Sequence, residues 1–190
     1  MSHHAEVLVL SFLAVGATAC GAAQKEAEEA LDRADRFYGA MQTEAMKVVP
    51  SLTAPIGDSL EVAKQLMAAG KYREAQAKAV DVAGEAVRVA KLVPRKRDEL
   101  DSTYKSISVE ITYPVRQVVN RIRQLNTSGA LPRGLSRAGF DSLKTDVTTW
   151  EDAWKAAQDW YQKGEIDSAA GRAAALKASV QAAMSVLAVK

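Results

Sequence analysis

With 190 residues, 48% of them apolar, the chain is long enough for a domain with a sizeable core and too apolar to be a disordered segment. Its 25 basic and 23 acidic residues nearly cancel, without the basic excess that a dedicated nucleic-acid binder carries. A single cysteine excludes an internal disulfide, and the only two histidines, His3 and His4, lie at the extreme N-terminus.

Residues 7–19 are mostly apolar. Thirteen such residues are too few to span a bilayer comfortably and match the core of a secretory leader. Small residues follow, then Cys20-Gly21. The stretch Ala17-Thr18-Ala19-Cys20 resembles the lipobox of bacterial lipoproteins, although the start lacks Lys or Arg and Ala17 stands where Leu is more usual. The resemblance implies that the leader, residues 1–19, is removed and that Cys20 becomes an acylated first residue. Gly21, rather than Asp, after the cysteine implies sorting to the outer membrane. Ala17-x-Ala19 also suits ordinary signal peptidase, which would release a soluble protein with a free thiol. A lone cysteine in an exported protein is a liability unless it is used, which favours lipidation.

The remainder, 20–190, reads as a single all-helical domain. Ala is abundant, Pro is scarce, and no long run alternates with period two. Helix one is expected from about Ala22 to Val49, with the stripe Ala27, Ala30, Ala34, Phe37, Met41, Ala45, Val48. Acids crowd its start, where the helix dipole favours them. Pro50 and Pro55 interrupt the chain, so helix two is expected over Pro55–Ala69. A turn at Gly70 leads into helix three, Lys71–Val93, whose seam is Tyr72, Ala75, Ala79, Val82, Ala86, Val89, Val93. Pro94 marks a boundary. Helix four follows from Lys96 to Leu125 along Leu100, Tyr104, Ile107, Ile111, Val115, Val118, Ile122 and Leu125, with a kink or short break at Pro114. Residues 126–136 read as a loop. Ser136 or Asp141 is a candidate cap for helix five, which runs to Gln162, and helix six takes the chain almost to its end.

The hairpin around Gly70 recurs 94 residues later. Ile166, Ala169, Ala173, Leu176, Val180, Ala183 and Leu187 repeat the seam of helix three, and Trp150, Trp154, Ala157 and Tyr161 repeat Ile56, Leu60, Ala63 and Met67. A shift of 77 lays the stripe of helix one on most of helix four. The fold class is therefore all-α, a bundle of about six helices built from two similar three-helix units, 22–93 and 96–188. Gly70-x-Tyr72-x-x-Ala75, and more weakly Gly164-x-Ile166-x-x-Ala169, resembles the turn of a tetratricopeptide repeat. The resemblance ends there: the following helices exceed twenty residues and no 34-residue period exists. A bundle using that turn fits better than a repeat array.

Little in this chain carries chemistry. Haem uses an axial His or Met, or a Cys-x-x-Cys-His motif for covalent attachment, di-iron bundles use Glu-x-x-His, and triads use a histidine base; the motif is absent and no histidine remains once the leader is gone. Met41, Met46, Met67 and Met184 read as core fillers. Asp58 and Asp152, equivalent in the two hairpins, are the one carboxylate pair to inspect, with a role near a helix N-terminus as the simpler reading. No metal, cofactor or catalytic residue is expected. Two surfaces stand out. Trp150, Trp154 and Trp160 form a candidate ligand or partner groove, with Trp160 off the apolar stripe and the rest read first as core. Arg95, Lys96, Arg97, Arg116 and Arg123 form a candidate basic contact face for anionic headgroups or an acidic partner. The expectation is a non-enzymatic, exported, lipid-anchored scaffold or interaction protein of the bacterial cell envelope. It would sit on the periplasmic side at the outer membrane, its partners the lipid membrane through acylated Cys20 and an unidentified envelope protein. The alternative is a periplasmic carrier of a small apolar ligand in a Trp-lined groove.

Overall fold

In a computed structural model the backbone is described over residues 7–189 and the side chains over residues 21–189. Six helices follow one another: α1 (Val7–Val48), α2 (Pro50–Ala68), α3 (Tyr72–Glu110), α4 (Thr112–Ser128), α5 (Arg137–Gln162) and α6 (Ile166–Val186). No strand occurs among the described residues, and the protein is all-α. It divides into two compact units, with the boundary between Val93 and Pro94. The leader and Cys20, which carry the lipoprotein resemblance, lie outside the residues whose side chains are described.

In the first unit, α1 buries Ala27, Ala30, Ala34, Met41, Ala45 and Val48. Small side chains let α1 and α2 pack at close backbone range. A Cβ on Gly57 of α2 would lie 2.5 Å from the Tyr38 hydroxyl of α1, so any larger residue there must displace that ring. Phe37, expected on the buried stripe, is instead 41% exposed. A seam set by alanines has no space for a phenyl ring, and the side chain turns out at its edge. Met46, expected as core filler, is likewise exposed. Lys64 of α2 pairs with Asp35 of α1 at 2.8 Å, and Gln76 of α3 donates to Glu26 at 3.3 Å.

α2 begins at Pro50, five residues before the expected Pro55. The chain breaks at Val49 (φ −140°, ψ 57°), and Pro50 occupies the first helical turn, where its missing N–H costs nothing. Thr53, the buried polar residue here, donates its hydroxyl to the Val49 carbonyl at 2.9 Å. Pro55 is tolerated inside α2 because it and Ser51, whose carbonyl it leaves without an amide partner, sit at exposed positions where water can serve. The starts of α2 at Pro50 and of α5 at Arg137 leave Asp58 and Asp152 in mid-helix and exposed, away from the N-termini where a role as dipole partner or cap was expected.

Pro94 does not end α3 either. Pro94 and Ala90 both lie on the exposed side, so the carbonyl released by the proline meets water and the helix continues to Glu110. The helix expected to start at Lys96 is that continuation. The break expected at Pro114 does occur, at Ile111. There the proline would remove the amide that bonds Glu110, and the β-branched run lowers helix propensity further. As the third residue of α4, Pro114 again sits where a helix needs no donor. The Ser136 hydroxyl accepts from the Gly139 amide at 3.1 Å and caps α5.

The second unit closes over Tyr104, Ile107, Ile111, Val118, Leu125, Phe140 and Trp150, with the α6 seam Ala169, Ala173, Leu176, Val180, Ala183 and Leu187. Both seams read from the sequence are buried throughout, except that Tyr72 is partly exposed. The two turns share three backbone bonds at equivalent positions. Ala69, Gly70 and Lys71 amides donate to Gln65, Met67 and Leu66; Lys163, Gly164 and Glu165 amides donate to Asp159, Tyr161 and Trp160. Each glycine is left-handed, with φ of +72° and +75°. Shifting α1 by 77 positions pairs buried Ala27, Ala30, Ala34, Met41 and Val48 with buried Tyr104, Ile107, Ile111, Val118 and Leu125. Phe37, the exception in the first unit, falls on Pro114, which is not buried either.

Candidate functional site

Each hairpin carries an open groove along its two helices. In the first unit the groove lies between α2 and α3, with a volume of about 640 Å³, and Leu52, Pro55, Ile56, Lys78, Asp81 and Val82 lie along it. In the second it lies between α5 and α6, about 450 Å³, along Asp146, Thr149, Trp150, Arg172, Ala175 and Leu176. The same 94-residue shift relates them. Ile56 maps to Trp150, Val82 to Leu176 and Lys78 to Arg172. The helical period explains this: residues beside a buried seam flank the trough between two helices, and the two seams are in register. The first groove has a mixed rim, with Lys78, Asp81, Glu85 and Arg88 along α3; the second replaces most of these charges with Ala175, Ser179 and Ala182.

The three tryptophans do not share this groove. Trp150 lines it and is otherwise buried, at 6% exposure. Trp154 stacks on Tyr104 with centroids 5.8 Å apart and planes 8° from parallel. Tyr104 stacks in turn on Tyr161 at 4.1 Å and 12°. Trp160 packs, partly buried, against the same core. Trp154 lies one turn further along nearly the same face of α5, where it meets Tyr104 of α3.

Beside the stack, the Tyr161 hydroxyl donates to Asp101 at 2.6 Å, and Lys105 pairs with the other carboxylate oxygen at 2.7 Å. The Lys105 hydrogen bond first, and the Tyr161 bond second, hold the Asp101 carboxyl below the usual carboxylate range. The same contact, with burial, pushes the Tyr161 phenol up. Asp101 was not singled out in the sequence, where it is one acid among many outside the stripe. Tyr104 was legible only as a stripe residue.

Arg95 and Lys96 both reach Glu99, at 3.4 and 2.6 Å, so their charge is answered within their own helix. The Arg97 field falls on Asp101. Arg116 and Arg123 lie on one exposed face of α4, and Arg123 donates to Asn120 at 3.5 Å. Glu99, Glu110, Asp141 and Glu151 are each pulled down, in the first place by a lysine hydrogen bond (Lys96, Lys177, Lys144 and Lys155). None of these is the raised carboxyl that general acid catalysis at neutral pH uses. Among the described residues no group of three or more His, Cys, Asp or Glu converges, and no helix is long and apolar enough to cross a membrane.

The chain matches no protein-family model, no curated protein and no solved structure.

Proposed function

We propose that this chain is an exported helical interaction protein of the bacterial cell envelope, anchored through acyl chains on Cys20 and not itself an enzyme. The observation that carries the anchor is the apolar stretch 7–19 running into Ala17-Thr18-Ala19-Cys20, with the chain's one cysteine at the end. Two or three acyl chains hold a protein at a bilayer stably, whereas one gives marginal binding. The paired grooves support the interaction role: one on each hairpin, at equivalent positions, each flanking a buried seam. The test is the intact mass of the protein purified from membranes. Acylation predicts a chain starting at Cys20 with added lipid mass, and Cys20→Ser leaves a precursor or a form cut elsewhere. An unmodified chain from Met1, or an unlipidated chain from Cys20, refutes the anchor.

A second reading takes the trough beside Trp150 as the seat of a small apolar ligand. It is supported by the 450 Å³ volume and the ring on its wall. Solvent extraction of natively purified protein followed by mass spectrometry tests it; an extract without a stoichiometric apolar compound removes it.

A further inference from the structure

We propose that the outward stripe across the end of α3 and along α4 docks on an anionic lipid surface. The stripe is Val109, Tyr113, Arg116, Asn120 and Arg123, at steps of four and three, and every one of these residues is exposed. Its orientation is set by the opposite side, where Ile107, Ile111, Val118 and Leu125 are buried in the core. Val109 and Tyr113, at 82% and 67% exposure, are the two most exposed large hydrophobic side chains among the described residues. They stand one turn apart, beside the break at Ile111, with Arg116 next along the face.

From Ile111 onward the charge is one-sided, and Glu110, beside Val109, is answered by Lys177 at 2.6 Å. Residues 111–140 hold five arginines and no acid, in a chain whose other residues carry 20 basic and 23 acidic groups (25 − 5 against 23). The fold decides which arginines face out. On α4, Arg121 turns to the Leu187 carbonyl at 3.4 Å; Arg137, on α5, is exposed and pairs with Asp141 at 3.6 Å. Arg116 and Arg123 stay on the stripe. Tyrosine is a residue of membrane–water interfaces, its ring among the upper acyl chains and its hydroxyl among headgroups. Arginines on the same face meet anionic headgroups, and a valine adds shallow apolar insertion. A face with only two exposed large apolar side chains lacks the packed centre around which a protein partner would build a hot spot. The proposal rests on the envelope reading for the presence of a bilayer.

Vesicle binding of the full chain carrying Cys20→Ser, which has no acyl chain, tests it. Tyr113→Cys in that background provides a single labelling site for an environment-sensitive dye, and Gln158→Cys on α5 serves as the control. Vesicles containing phosphatidylglycerol should bind the protein, shift the dye at residue 113 to the blue and leave the dye at residue 158 unchanged; pure phosphatidylcholine should not shift it. Arg116→Glu with Arg123→Glu should weaken anionic binding by about 20-fold or more, at about fivefold for each arginine lost. Binding should also fall with salt. The stripe is exposed, so urea midpoints should not move; Arg116→Gln with Arg123→Gln is the milder pair if they do. Equal binding by wild type and double variant overturns the proposal. So does binding with a silent dye at residue 113, which the apolar stretch 7–19 would explain, and so does capture by polyglutamate but not by vesicles. Failure of Cys20 acylation would remove the anchor while leaving the vesicle result intact.

Discussion

The Tyr161 phenol donates to the Asp101 carboxylate at 2.6 Å, tying the last turn of α5 to α3 across 60 positions of sequence. The ring that carries the hydroxyl also lies against Tyr104. One side chain thus contributes a polar tie and a face of the aromatic stack in the second unit.

Those two contributions separate by mutation. Tyr161→Phe keeps the stack and removes the hydrogen bond, while Asp101 retains Lys105 and some contact with solvent. The expected cost is about 1 kcal/mol. Tyr161→Ala removes the ring too, for about 3 kcal/mol in total. Urea denaturation measures both. Equal losses would mean that the ring contributes nothing beyond its hydroxyl.

The same pair sets a pH window. Asp101 is lowered in the folded state, first by Lys105 and then by Tyr161, so its contribution is present above the unfolded pKa and lost as pH falls through the folded one. Tyr161 is raised, first by Asp101, so its contribution is present below the unfolded pKa and lost as pH rises through the folded one. The second unit should therefore weaken below about pH 4 and above about pH 10. Tyr104, raised mainly by burial, and Lys105, raised mainly by its bond to Asp101, share the alkaline limb. Tyr161→Phe should shrink that limb in urea midpoints taken from pH 7 to 11 without abolishing it; an unchanged limb would refute the assignment.

Ala79 and Ala173 occupy equivalent seam positions and are fully buried. Ala79→Asp or Ala173→Asp puts a carboxylate where no partner and no space exist, at an expected cost of about 3 kcal/mol or more. A loss under about 1 kcal/mol at both sites would contradict the packing.

Glycines separate into kinds. Gly70 and Gly164 hold left-handed turns, so alanine should cost about 1 kcal/mol at each. Ala188 adopts the same region (φ 50°) where α6 ends, with the Val189 amide returning to Met184, so Ala188→Gly should stabilise by several tenths of a kcal/mol. Gly171 lies in mid-helix with open space where a Cβ would go, and Gly171→Ala should gain up to about 1 kcal/mol. Gly57→Ala should lose that gain to the displaced Tyr38 ring. Thermal midpoints of the five variants check the order.

Composition, rich in Ala and poor in Pro, and the period of the apolar residues determined the all-α class, and that period determined both buried seams and the equivalence of the two hairpins. A seam is a property of side-chain spacing along one helix, and spacing is written in the chain. The glycine turns were legible for a related reason: a left-handed residue between two helical patterns is a local requirement. What only the tertiary structure decided were the points where solvent or a distant element intervenes. Pro55 and Pro94 remain inside helices because their faces are exposed and water meets the freed carbonyls. Phe37 leaves its stripe because alanine neighbours draw the adjacent helix too close for a ring. Trp154 leaves Trp150 because Tyr104, from another helix, offers it a parallel face. Asp101 meets Tyr161, and Arg121 turns inward while Arg116 and Arg123 stay out, through contacts spanning dozens of residues. Such pairings depend on how helices are set against one another, which no periodicity along a single helix encodes.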